Sequence, residues 1–257
     1  MKDTTRQILV ILSIALTLVV NVLANALPIN GLNTGQISDS FDVYFVPAGY
    51  VFSIWGLIYI GLVAFAVFQA LPSQRENPRL RAAGPWIILS GLANSAWIFL
   101  WHYQQFPLTL LVMLVLLASL IITYLRLGTS RTNVSTLETW MARVPFSIYL
   151  GWITVATVAN ATSVLDYLNW NGFGLSEEAW MVIILAAVLV IAALMNFTRR
   201  DVAYTLVILW ALAGISVKHA GVTAVTTPTW ITFALVAVTL AAAFFLFRSG
   251  RKMGVSK

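Results

Sequence analysis

The chain has 257 residues, 60% of them apolar and only 9% charged, where soluble domains carry about 25% charged residues. So few charges cannot cover a soluble globule of this length, so the composition predicts an all-α integral membrane protein with lipid as its main solvent. The absence of cysteine excludes disulfides and thiolate chemistry, and the net charge of +6 is spread over short segments between apolar runs. That pattern signals orientation in a bilayer and implies no nucleic-acid partner.

A bilayer core takes about 20 residues of helix, and eight stretches meet or approach that length. The first, 8–29, places Thr17, Asn21 and Asn25 on one face, four residues apart. No small-residue cleavage site follows it, so it is expected to be a true helix and not a removed signal. The connection Asn30 to Val46 leads to the second span, 47–70, where Phe52, Trp55 and Tyr59 share a face. In the third, 84–103, Gly91, Asn94, Trp97 and Trp101 form one stripe, and Gly91 with Ser95 makes a pair of small residues that lets a neighbouring helix approach. His102 ends this span and is expected at the outer interface.

The fourth span, 107–126, is followed by 144–165, where Tyr149, Trp152, Ala156 and Asn160 line up. The last three are 179–197, 202–218 and 227–247. Thr198 to Asp201 is the whole connection between spans six and seven, which makes those helices antiparallel neighbours. Pro85, Pro107, Pro145 and Pro228 fall near span starts, where a missing N–H costs least. Lys218, beside His219, is expected to reach for the interface at the end of span seven. Spans six to eight lack amide and aromatic stripes apart from Asn196 and Trp210, so they are expected to form an appended layer outside any pocket.

With the N-terminus inside, every Lys and Arg except Lys218 falls in a cytoplasmic segment, including Arg248, Arg251, Lys252 and Lys257 near the C-terminus. This bias places both termini in the cytoplasm. The chain reads as one membrane domain, 1–257. No carboxylate lies within a span to relay protons, and no Ser–His pair, paired carboxylates, His-Glu-x-x-His or phosphate-binding glycine loop is present. Neither catalytic residues nor a metal site are expected. Flat aromatic walls with a few amides suit a planar apolar ligand held by face stacking and oriented by fixed donors.

Three motifs carry a family resemblance. Pro47-Ala48-Gly49-Tyr50-Val51-Phe52 followed by Trp55 and Ile58-Tyr59, then Asn94-Ser95-Ala96-Trp97, then Tyr149-Leu150-Gly151-Trp152 running on to Ala156 and Asn160, resemble the signatures of the tryptophan-rich sensory protein family. It is also known as the translocator protein or peripheral-type benzodiazepine receptor family. The resemblance covers residues 1–166, corresponding to a five-helix unit, with 167–257 as three additional transmembrane helices. Tyr50 stands where the family has tryptophan. The resemblance implies a five-helix bundle with Tyr50, Trp55, Asn94, Trp97, Trp152 and Asn160 in a ligand pocket under the long first loop. Helical spacing adds Asn21, Trp101 and Tyr149.

The implied ligands are tetrapyrroles, porphyrin or haem, or sterol-like molecules, with no obligatory cofactor and a sensing or transport role in a bacterial inner membrane. Two other functions fit the residues: a secondary transporter of a small hydrophobic molecule, and a non-catalytic subunit whose spans six to eight meet a second copy or another membrane partner.

Overall fold

A computed structural model describes residues 2–27 and 29–253, with side chains as far as Leu246. Lys257 lies outside the described residues, as do the side chains of Arg248, Arg251 and Lys252, on which part of the charge bias rests. The described residues are helical, with no strand among them: α1 (Asp3–Ala26), α2 (Thr34–Asp39), α3 (Ile54–Ala70), α4 (Pro78–His102), α5 (Phe106–Arg126), α6 (Thr136–Glu138), α7 (Val144–Tyr167), α8 (Glu177–Arg199), α9 (Val202–Lys218) and α10 (Thr223–Met253). Among the described residues, seven helical segments are long and apolar enough to cross a membrane. The seventh expected span, α9, is apolar but has 17 residues.

Helix ends differ from the expected limits where capping extends them. Asn77 caps α4 by accepting from Arg79 N at 3.0 Å, with Pro78 in the first turn. Pro85 is therefore inside the helix and not at its start, and Pro228 is likewise inside α10. Ahead of Pro145, which has no N–H to give its own turn, residues Thr139–Arg143 widen into a π-helical turn closed by Val144 N on Thr139 O. Between α8 and α9 the chain reverses in two residues. Arg200 takes the left-handed conformation and Asp201 caps α9 through Tyr204 N at 3.1 Å, so the helices form the expected hairpin.

The chain divides into two compact units. The first comprises the residues up to Val43 together with Phe52–Trp170, and the second Tyr44–Val51 with the residues from Asn171 onward. In the first unit the five long helices close a ring: α1 packs on α4, α4 on α5, α5 on α7, α7 on α3, and α3 on α1. Glycines set the closest crossings. A Cβ on Gly91 would lie 3.0 Å from Ser13 O and Thr17 Oγ1 of α1, and one on Gly61 would lie 2.9 Å from the Pro145 ring of α7. In the second unit α10 packs on α8 and α9. Asn196 binds all three, donating to Thr239 Oγ1 at 2.9 Å and accepting from the Thr205 hydroxyl.

Polar groups tie the N-terminal end of α1 into the first unit. Gln7 and Gln69 exchange side-chain bonds to each other's carbonyls at 2.6 and 3.1 Å. Arg81 forks onto Asp3 at 2.6 and 2.8 Å. Arg79 does the same to Glu138, also at 2.6 and 2.8 Å, and the buried Arg143 holds the 128–132 turn by donating to Thr132.

Candidate functional site

Helical spacing turns the stripes of α1, α4 and α7 inward. Asn21, Asn94, Trp97, Trp101, Tyr149, Trp152 and Asn160 are all buried, while Trp55 is half-buried. They form two adjoining clusters that meet on α4, where Asn94 and Trp97 are three residues apart.

The first cluster lies where α3 faces α7. Trp152 meets Phe52 edge-on at 5.6 Å and Trp55 at 6.3 Å; Trp55 also stacks on Tyr59 at 5.6 Å and touches Tyr149 at 5.9 Å. Phe52, Trp55 and Tyr59 are half-buried and form its outer wall, whereas Tyr149 and Trp152 are 2% and 3% exposed. Beside it, Asn21 Nδ2 donates to Asn94 Oδ1 at 2.6 Å and to Thr17 O at 2.8 Å. The Tyr149 hydroxyl lies near Asn94 without completing a hydrogen bond, and the Trp152 indole N–H is also buried and unpartnered. An unpaired buried donor costs about 1–3 kcal/mol, so two in one aromatic cluster mark where an acceptor would be stabilised.

The second cluster is closed on itself. Trp97 Nε1 donates to Asn160 Oδ1 at 3.2 Å, and Asn160 Nδ2 donates to Thr109 Oγ1 at 2.9 Å. Trp97 stacks on Trp101 at 5.1 Å, and Phe41 and Phe106 surround Trp101 at 5.7 and 5.3 Å. The first loop fastens over this end. Trp101 Nε1 donates to Thr34 O at 3.3 Å, and His102 bonds Ile29 O through Nδ1 at 3.0 Å and Thr34 Oγ1 through Nε2 at 3.1 Å. His102, the last residue of α4, is thus buried, because the loop folds onto it.

Tyr50 belongs to the second compact unit. It is 48% exposed, and its ring meets Trp210 of the second unit edge-on at 5.4 Å. The motif that contains it breaks at Val51, with Phe52 in the first unit and Tyr50 in the second. Tyr59, absent from the site expected from the sequence, belongs to the first cluster; its place on the Phe52–Trp55 face was the available signal. Thr109 and Phe41 lie in stretches whose spacing gave none.

A family model described as TSPO-like protein matches residues 7–247. The match runs on past the motifs at 1–166, through α8 and α9 and into α10. No curated protein and no solved structure matches the chain.

Proposed function

The chain belongs to the TSPO-like protein family, and from that premise we propose that this integral membrane protein binds a planar hydrophobic ligand, a tetrapyrrole, against the Phe52–Trp55–Tyr59–Tyr149–Trp152 cluster. The observation that carries the reading is the pair of buried, unpartnered donors, Tyr149 Oη and Trp152 Nε1, set among aromatic faces. Rings supply stacking area, and donors in an apolar wall select a ligand that brings acceptors. The second cluster, whose polar atoms already have partners, serves as the rigid support behind it.

Porphyrin and haem make different demands on the site. The cluster offers iron no imidazole or thiolate, only the phenols of Tyr59 and Tyr149, and both ring nitrogens of His102 are engaged by the first loop. A metal-free porphyrin therefore fits better than an iron-ligated haem. The charge bias of the loops orients both termini toward the cytoplasm of a bacterial inner membrane. The test is an absorption spectrum of the purified protein, followed by titration with protoporphyrin read by quenching of tryptophan fluorescence. Saturable quenching at one ligand per chain supports the reading, and its absence overturns it.

A further inference from the structure

Within the first unit, the 128–132 turn between α5 and α6 lies at an end rich in arginine. Gly128 and Ser130 both take left-handed backbone, with φ of 65° and 59°. Gly128 O accepts from the amides of Arg131 and Thr132 at 3.0 and 3.2 Å. The turn leaves the Arg126 and Arg131 side chains exposed, and neither makes an ion pair among the described residues. Arg143 is buried and donates through both terminal guanidinium nitrogens to Thr132. Its acidic neighbour, Glu138, is already forked by Arg79. Arg126, Arg131 and Arg143 are thus left without a carboxylate of their own.

Two buried polar atoms here also lack partners. Arg143 Nε and Thr129 Oγ1 make no hydrogen bond, although both residues are 6% exposed. Guanidinium nitrogens only donate, and a hydroxyl has a proton to give as well. One acceptor-rich anion would therefore serve both, and phosphate combines several acceptor oxygens with negative charge. Beside these groups the surface is apolar: Leu137 and Trp140, three residues apart, are 50% and 65% exposed. Trp140 shares the π-helical turn with Arg143, so one short segment presents an indole outward and a guanidinium inward.

We propose that this corner of the first unit binds an anionic phospholipid. Its phosphate accepts from Arg143 Nε and Thr129 Oγ1, Arg126 and Arg131 supply countercharge, and its chains lie against Leu137 and Trp140. The apolar lip favours a lipid over free phosphate, which has nothing to place there. Both donors are covered in the ligand-free protein, so binding moves the turn. The bonds from Arg143 to Thr132, an exposed residue, are the ones exchanged for phosphate. This site is separate from the aromatic clusters and does not depend on what they bind.

The test uses full-length protein in dodecyl maltoside, given equal amounts of phosphatidylglycerol and phosphatidylcholine of one chain length. Native mass spectrometry counts the bound lipid, and amide hydrogen exchange follows residues 128–132. Phosphatidylglycerol should be retained over phosphatidylcholine by about tenfold or more and should alone change exchange in the turn. Each arginine near a headgroup contributes about a fivefold factor, so Arg126→Gln and Arg131→Gln should each lower the preference by about that much. Thr129→Val keeps the shape and removes the hydroxyl. It should unfold no lower than wild type, because an unsatisfied buried group is lost, yet bind phosphatidylglycerol about tenfold more weakly.

Equal retention of the two lipids overturns the proposal. So does a Thr129→Val protein that binds like wild type, since surface charge alone would then account for the attraction. Inorganic phosphate that reproduces the exchange change at matched concentration makes this a soluble-anion site and overturns the lipid assignment.

Discussion

Trp152→Phe separates the donor from the ring. Trp152 is 3% exposed, its Nε1 has no partner, and its ring packs against Phe52 and Trp55. In the ligand-free protein, the substitution removes a buried donor whose desolvation costs about 1–3 kcal/mol. The smaller ring leaves a void worth on the order of 1 kcal/mol. The two terms oppose each other, so thermal unfolding in detergent should stay within a few degrees of wild type or rise by about 2–4 °C. Binding should move the other way, because a ligand acceptor loses its partner. A hydrogen bond worth about 0.5–1.5 kcal/mol corresponds to roughly two- to tenfold weaker protoporphyrin binding. Trp152→Ala should cost more, about 2 kcal/mol or above, and Trp230→Ala, at a residue 47% exposed, should cost little. A Trp152→Phe protein that unfolds several degrees lower and binds porphyrin as well as wild type would refute both halves of the reasoning.

The packing and the charge bias set two further outcomes. Asn160→Leu strips Trp97 of its acceptor, while Thr109 keeps its bond to Phe106 O at 2.6 Å. The loss should be about 1–2 kcal/mol in thermal unfolding and should be largely recovered by adding Trp97→Phe, whereas simple additivity would deny the coupling. A reporter fused to the C-terminus should be active only in the cytoplasm, and activity on the outside would reverse the orientation taken from Lys and Arg placement.

Helical period made much of the first unit legible. Asn21, Asn94, Trp97, Trp152 and Asn160 recur at three- and four-residue spacing, and burying the polar face of a membrane helix leaves few alternatives to a neighbour's polar face. The glycine at 91 was readable for the same reason, since a small residue on an inward stripe invites a close crossing. Other features depend on partners distant in sequence. Gly214 is unremarkable inside an apolar helix until Val51 is set against it, and no spacing around His102 signals that residues 29–34 fold onto it. Tyr50 shows the limit of a contiguous motif: the chain passes from one compact unit to the other between Val51 and Phe52, a break that spacing does not signal.

The two unpaired donors also bear on which hydrophobic ligand the site prefers. A sterol offers a large apolar face and a single hydroxyl at one end, so it pairs both Tyr149 Oη and Trp152 Nε1 only where that one oxygen accepts from both at once. Protoporphyrin carries ring nitrogens at the centre of its plane and two carboxylates on flexible side arms, and can offer each donor its own acceptor. Each donor left buried and unpaired costs about 1–3 kcal/mol, and sites built to hydrogen-bond discriminate strongly against analogues that lack the group. Protoporphyrin should therefore bind at least about tenfold tighter than a sterol, and Trp152→Phe should narrow the gap by weakening the porphyrin alone. Competition titrations on the two proteins measure both numbers. Equal affinities in the wild type, or a gap unchanged by Trp152→Phe, would mean that apolar area and not the donors governs what binds.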